Sequence, residues 1–209
     1  MKTIVLATNN ASKVKELNAI LATNGNSGFK VLSLKDCGFN SDIEENADTF
    51  EGNAYIKART VAEFTGLAVV ADDSGLEVDA LNGAPGVFSA RYAGEGATSG
   101  QLIEKLLTEM KGVPMGERTA RFTTVMCAVL PTGKVLTARG ECHGIITETP
   151  MGDGGFGYDP VFYYPPANKT FAELTAEEKN GISHRAIAVK KLINTLGSLE
   201  DADFEPKMQ

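Results

Sequence analysis

Short apolar runs alternate with helical stripes along the first third of the chain. Residues 3–7 read as a short buried strand. Val14, Leu17, Ile20 and Leu21 then recur at helical spacing, which predicts an amphipathic helix over 12–23. The polar run Asn24, Gly25, Asn26, Ser27, Gly28 breaks it. Residues 29–34 read as a second strand, and a polar, acidic stretch fills 36–48. The spacing of Ala54, Ala58, Val61 and Ala62 predicts a helix over 50–64, ended by Gly66, with another buried strand at 67–71. This β-α-β-α-β order points to an α/β sheet. Further on, Leu102, Ile103, Leu106, Leu107 and Met110 mark a helix. Residues 121–130 and 134–147 are long, rich in Thr, Val and Ile, and joined by Pro131, Thr132 and Gly133, which predicts an antiparallel hairpin. A last helix is predicted over 183–196, and the polar, acidic tail 198–209 is expected to fray.

A chain of 209 residues fits one domain, here 1–197 in two lobes, followed by that tail. The formal net charge of −7 argues against the basic surface of a general nucleic-acid binder. Three cysteines without a C-x-x-C pair argue against a disulfide framework or a cysteine zinc site, and two histidines are too few for a histidine metal centre. The N-terminal apolar run is too short for a signal-peptide core, and the longest other run, 125–130, falls far short of the ~20 residues of a membrane span. The expectation is a soluble, reduced, cytoplasmic protein with neither a membrane nor a nucleic acid as partner.

Four segments carry candidate chemistry. Thr8, Asn9, Asn10, Ala11, Ser12 and Lys13 form the turn between the first strand and the first helix. Free N–H groups and the dipole favour an anion at a helix start, where Lys13 is misplaced unless a phosphate is bound. The alternative is a plain turn with a solvated lysine. The second segment, Asp72-Asp73-Ser74-Gly75, is expected as a turn after a buried strand, where open α/β sheets place ligands. Its neighbouring carboxylates point to different sides; it reads either as part of a hard-cation site, with Glu44 or Glu45 supplying another ligand, or as a capped acidic turn. The third, 152–160, contains a formal G-x-G-x-x-G match, but Tyr158, Asp159 and Pro160 follow where a helix should open, so the dinucleotide reading is rejected. Its glycines leave backbone bare for close approach and Phe156 offers a ring face to a base; otherwise it is a mobile loop with a packed Phe. In the fourth, Ser183 can cap the last helix, leaving His184 and Arg185 at its positive end. Arg185 has donors only, so it suits a carbonyl oxygen; His184, taken singly, reads first as a core or capping histidine. Taken together, the four describe a nucleoside triphosphate pocket.

These residues also carry a resemblance. Thr8-Asn9-Asn10 with Lys13; Thr49-Phe50-Glu51-Gly52-Asn53-Ala54 with Lys57-Ala58; Ala71-Asp72-Asp73-Ser74-Gly75-Leu76; Gly83-Ala84-Pro85-Gly86 with Ser89-Ala90-Arg91-Tyr92; Gly155-Phe156-Gly157-Tyr158-Asp159-Pro160; and Ser183-His184-Arg185 occur in one order over nearly the whole chain. In this the sequence resembles the inosine triphosphate pyrophosphatase family. The resemblance implies an α/β fold with a long mixed central sheet, flanking helices and two lobes around a nucleotide cleft. It implies a homodimer, dependence on Mg²⁺, and hydrolysis of ITP, dITP or XTP to the monophosphate and pyrophosphate, which cleanses the nucleotide pool. Carried over residue by residue, it puts Thr8 to Lys13 on the triphosphate with Lys57 nearby, Asp73 and Glu45 at the metal, and Asp73 as proton acceptor. Ser74 would contact substrate, Phe156 would stack on the purine flanked by Gly157, Tyr158 and Asp159, and Lys179, His184 and Arg185 would complete the site. The sequence departs from the family pattern at Asn46-Ala47, where many members have Thr-Gly, at Gly52, where an acidic residue is common, and at Tyr158, where some have Trp. Rival classes are a pyrophosphatase of modified pyrimidine or 7-methylated nucleotides and a non-catalytic nucleotide sensor.

Overall fold

The computed structural model describes residues 2–8, 10 and 28–205. The helix predicted over 12–23 lies outside them. Strand β1 (Lys2–Leu6) pairs in parallel with β2 (Phe29–Ser33) on one side and β3 (Ala68–Val78) on the other, with Ile4 opposite both Val31 and Ala68. Sheet order continues from β3 to β4 (Thr119–Val129), β5 (Val135–Ile146), β6 (Phe162–Tyr164) and β7 (Lys169–Thr170), seven strands among the described residues. The β5–β6 and β6–β7 pairs are antiparallel, so the sheet is mixed, as expected. Ile4, Val5 and Leu6 of β1 and Ala68, Val69 and Val70 of β3 are all buried, the continuous apolar pattern of parallel strands covered on both faces.

Helix α1 (Phe50–Thr65) begins at Thr49, whose hydroxyl accepts from Gly52 N–H, and stops at left-handed Gly66. Helix α2 (Ser99–Glu109) starts with a capping box between Thr98 and Gln101 and buries Leu102, Ile103 and Leu106. A seven-residue helix absent from the sequence reading, α3 (Ala176–Ile182), is set by a second capping box, Thr175 with Glu178. It runs directly into α4 (His184–Gly197) through extended Ser183.

The chain divides into two compact units. The first comprises residues 1–73, 124–140 and 185–209; Ile4, Leu6, Val70, Met126, Val189, Leu192 and Leu196 centre its core. The second comprises 74–123 and 141–184, cored by Leu76, Leu106, Met110, Phe122, Phe162 and Phe171. The chain passes from one unit to the other four times, at Asp73–Ser74, Thr123–Thr124, Gly140–Glu141 and His184–Arg185.

Two sequence expectations are corrected. Asp72, Asp73 and Ser74 are not in a turn: β3 runs straight through them, because Leu76 and Val78 resume the buried alternation beyond. Nor does the C-terminal segment fray over 198–205. A 3₁₀ turn at Asp201–Phe204 buries Phe204 in the first unit's core, its ring 6.0 Å from that of Phe29, and Lys2 Nζ donates to Leu199 O at 2.5 Å. Composition hid this, since two apolar residues, Leu199 and Phe204, anchor an otherwise polar stretch.

Candidate active site

In the first unit the candidate residues gather around β3. Successive strand residues face opposite sides, so Asp72 and Asp73 are separated by the sheet itself. Asp73 meets α1: Asn53 Nδ2 donates to its Oδ2 at 3.2 Å, and Lys57 Nζ lies 3.6 Å from its Oδ1. Asp72 meets α4: Arg185 Nε lies 3.7 Å from its Oδ2, with both side chains at most 2% exposed. Each carboxylate therefore has its own cation, which resolves the repulsion implied by their adjacency.

Lys57 also reaches Glu45, donating to Oε2 at 2.7 Å. Asn53 and Lys57 are one helical turn apart, and both are buried on the α1 face that carries Ala54, Ala58 and Val61. Burial opposes the Lys57 charge, but Asp73, Asp72 and Glu45 outweigh it and raise its pKa above the ordinary lysine value. Lys57 is thus a fixed cation at neutral pH and no base. Glu45 and Asp73 are hard oxygen donors tied to one ammonium group. Among the described residues no three His, Cys, Asp or Glu side chains group as a metal site. The donor set fits magnesium nonetheless, because that ion takes one or two carboxylates and fills its remaining positions with phosphate oxygens and water.

Of the N-terminal turn, Thr8 and Asn10 are described: the Thr8 hydroxyl accepts from Asn10 N–H at 3.2 Å. Asn9, Ala11, Ser12 and Lys13 lie outside the described residues.

The second unit holds the glycine-rich segment. Asp159, itself buried, organises it: Oδ2 accepts from Phe156 N–H at 2.8 Å and from Lys179 Nζ, on α3, at 2.7 Å. The Lys179 ammonium also sits over the Phe156 ring, 4.8 Å from its centroid, and 5.6 Å from that of Phe171. Phe156 is held by its backbone and through one ring face. Gly157 N–H donates to Ser99 Oγ at 2.9 Å, and Tyr158, buried with its pKa raised by that burial, donates its hydroxyl to Ser89 O at 2.8 Å.

Two of the glycines are required by the packing of the segment itself. A Cβ on Gly152, at φ +83°, would lie 2.7 Å from the Ala172 carbonyl carbon, and one on Gly155, at φ +74°, would collide with the Asp159 carboxylate. These two positions answer to the protein's own packing rather than to a ligand. His184 is buried, its ring stacked on Phe122 at 4.8 Å and 14°, which matches the core-histidine alternative. Ser74 follows Asp73 on β3, half-buried.

The structure therefore brings Glu45, Lys57 and Asp73 together and pairs Asp72 with Arg185 in one unit, and groups Phe156, Asp159 and Lys179 in the other. Sequence reasoning gave no role to Asn53. The available signal was its position four residues before Lys57 on an apolar helix face, where a polar residue must find a buried partner.

Comparison with known proteins agrees over most of the chain. Residues 4–195 match the Ham1 family. A protein of Desulforamulus reducens named dITP/XTP pyrophosphatase is 50% identical over 196 residues, covering 94% of this chain and 96% of the relative. Another of that name from Bacillus subtilis is 48% identical over 196 residues, 94% of this chain and 98% of the relative. Among solved structures, a HAM1 protein from Coxiella burnetii superposes with a TM-score of 0.86 at 42% identity, covering 95% of this chain and all of that one.

Proposed function

The chain belongs to the Ham1 family, and on that premise we propose that it is a nucleoside triphosphate pyrophosphatase of non-standard purine nucleotides. It hydrolyses dITP, XTP and ITP to the monophosphate and pyrophosphate and so removes deaminated purines from the nucleotide pool. The observation that carries this reading is the similarity, over 94% of the chain, to proteins named for that activity, with about half of the aligned positions identical.

The residues suit the chemistry. Water attacks the α-phosphorus; a new P–O bond forms as the bond to the β-phosphate bridging oxygen breaks, and pyrophosphate leaves with that electron pair. Asp73 accepts the proton of the attacking water. Lys57, protonated throughout, offsets negative charge on the phosphates. Asp73 and Glu45 would hold Mg²⁺, which supplies a water of lowered pKa and neutralises phosphate charge. Thr8 and Asn10, with Asn9, Ala11, Ser12 and Lys13 beside them in sequence, take the phosphate tail. Ser74 follows Asp73 and contacts the substrate next to the reacting group.

Base selection falls to Phe156 with its neighbours, in the second unit, and to Arg185, in the first. Phe156, backed by Lys179 on one face, offers the opposite face to the purine, with Gly157, Tyr158 and Asp159 framing it. Hypoxanthine and xanthine carry a 6-oxo acceptor where adenine carries an amino donor. Arg185 has donors only and His184 adjoins it in sequence, so a 6-amino group there leaves polar groups unpaired, at roughly 1–3 kcal/mol each. The enzyme works as a cytoplasmic homodimer.

The test is pyrophosphate release from ITP, XTP, dITP, ATP and GTP, with and without Mg²⁺, alongside modified pyrimidine and 7-methylated nucleotides. Fast release from the first three, dependent on Mg²⁺, is expected. Binding without release would indicate a sensor, and light scattering on the eluting peak tests the dimer.

A further inference from the structure

We propose that Asn53 is a positioning residue for this reaction: its buried amide fixes the Asp73 carboxylate relative to the segment that carries Glu45. The inference rests on the roles given above to Asp73 and Glu45. Asn53 is 1% exposed and lies on α1 one turn before Lys57. Its Nδ2 donates to Asp73 Oδ2 at 3.2 Å, and its Oδ1 accepts from Ala47 N–H at 2.9 Å. The two contacts fix the orientation of the amide. A backbone N–H can only donate, so the carbonyl end must face Ala47 and the NH₂ end must face the carboxylate.

The amide therefore ties strand β3 to residue 47, two residues from Glu45. Lys57 makes a second tie in the same sense, 2.7 Å from Glu45 and 3.6 Å from the other oxygen of Asp73. The two ties differ in kind. Lys57 is a charge on a flexible four-carbon stem and will answer to phosphate or cation arriving beside it. Asn53 is short, neutral and buried, so it keeps its geometry when the surrounding charge changes. Residues 41–47 form no helix or strand, so the position of Glu45 depends on such ties. Packing agrees: a Cβ on Gly52 would lie 2.6 Å from Ala47 Cβ, so residue 47 is pressed against the helix start beside Asn53.

The experiment uses the full chain carrying Asn53→Ala, with Asn53→Asp as a same-sized second variant should the first not fold. Circular dichroism and melting establish the folded fraction. Pyrophosphate release from ITP with Mg²⁺ gives kcat and KM, and hydrogen exchange reports the Ala47 amide. We expect kcat to fall about 10- to 100-fold, with KM within about threefold, as for a displaced reacting group. We expect Ala47 exchange to quicken at least about tenfold while the α1 amides beyond Lys57 are unchanged, since one hydrogen bond rather than the helix has been lost. In an Asp73→Asn background, read by single turnover, adding Asn53→Ala should lower the rate by less than about threefold, because the two act as one unit. Wild-type kcat in a folded Asn53 variant would overturn the proposal, as would unaltered Ala47 exchange or fully multiplicative effects with Asp73→Asn. A wild-type protein that released no pyrophosphate from any nucleotide would instead defeat the functional reading, and exchange at Ala47 would still judge the tie.

Discussion

In the proposed reaction Asp73 and Lys57 carry most of the chemistry, and each gives a direct test. Asp73→Asn keeps the shape of the side chain and removes its ability to take a proton. Turnover should fall by about 10²–10⁴-fold while nucleotide affinity changes little. Near-normal pyrophosphate release would remove Asp73 from its role. Lys57 makes its prediction through pH. Its folded-state pKa is raised, so its stabilising contribution is fully present below the unfolded value of ~10.4 and is lost only as pH rises through the folded value. The stability gap between wild type and Lys57→Met, from urea unfolding, should stay flat from about pH 6 to 9 and close only above ~10.5. A gap already closing near pH 8 would mean that Lys57 is a base rather than a fixed cation. At this scale the sequence was partly legible. Asp73 and Glu45 stood out as candidate carboxylates in separate segments, and Lys57 came only with the family resemblance. Asn53 did not, because a neutral amide shows its value only when both partners are seen.

Elements followed the hydropathy pattern where the pattern was long. Helix α1 and the β4–β5 pair lie within two residues of their expected limits, since apolar spacing and a Gly or Pro-Thr-Gly stop define both ends. Helix α3 and strands β6 and β7 escaped, and β3 was read only in part. Helix α3 is too short to show a stripe and is set by its capping box. β3 was cut short because charged residues 72 and 73 interrupt its apolar run, and their buried partners come from distant segments: Lys57, sixteen residues upstream of Asp73, and Arg185, more than a hundred downstream of Asp72. The junction ahead of α1 offers a test at this scale. Ala47 and Gly52 depart from the family pattern together, and the structure shows why: a Cβ at 52 would lie 2.6 Å from the one at 47. Gly52→Ala should therefore lower stability by about 1–3 kcal/mol through overpacking, despite the better helix propensity of alanine. Adding Ala47→Gly should restore most of the loss. Additive destabilisation in the double variant, measured by urea unfolding, would contradict this.

At the scale of the whole molecule, the described residues form a mixed seven-stranded sheet and two compact units, with one chemical group in each. Fold class and activity class were both legible, the first from the β-α order and the second from six ordered motifs over nearly the whole chain. The docking of the C-terminal segment was not, because composition averages away single anchors. Phe204→Ala should cost about 3 kcal/mol of global stability through the cavity it leaves beside Phe29, read as a lower urea midpoint; an unchanged midpoint would mean the segment is not docked. None of the described helices is long and apolar enough to cross a membrane. The central claim is that this chain cleaves non-standard purine triphosphates between the α- and β-phosphates. Its most direct measurement is product analysis of ITP and ATP incubated in parallel with the enzyme and Mg²⁺. Inosine monophosphate with stoichiometric pyrophosphate, and little change in ATP, is the expected result. Orthophosphate with inosine diphosphate, or equal cleavage of both nucleotides, would contradict it.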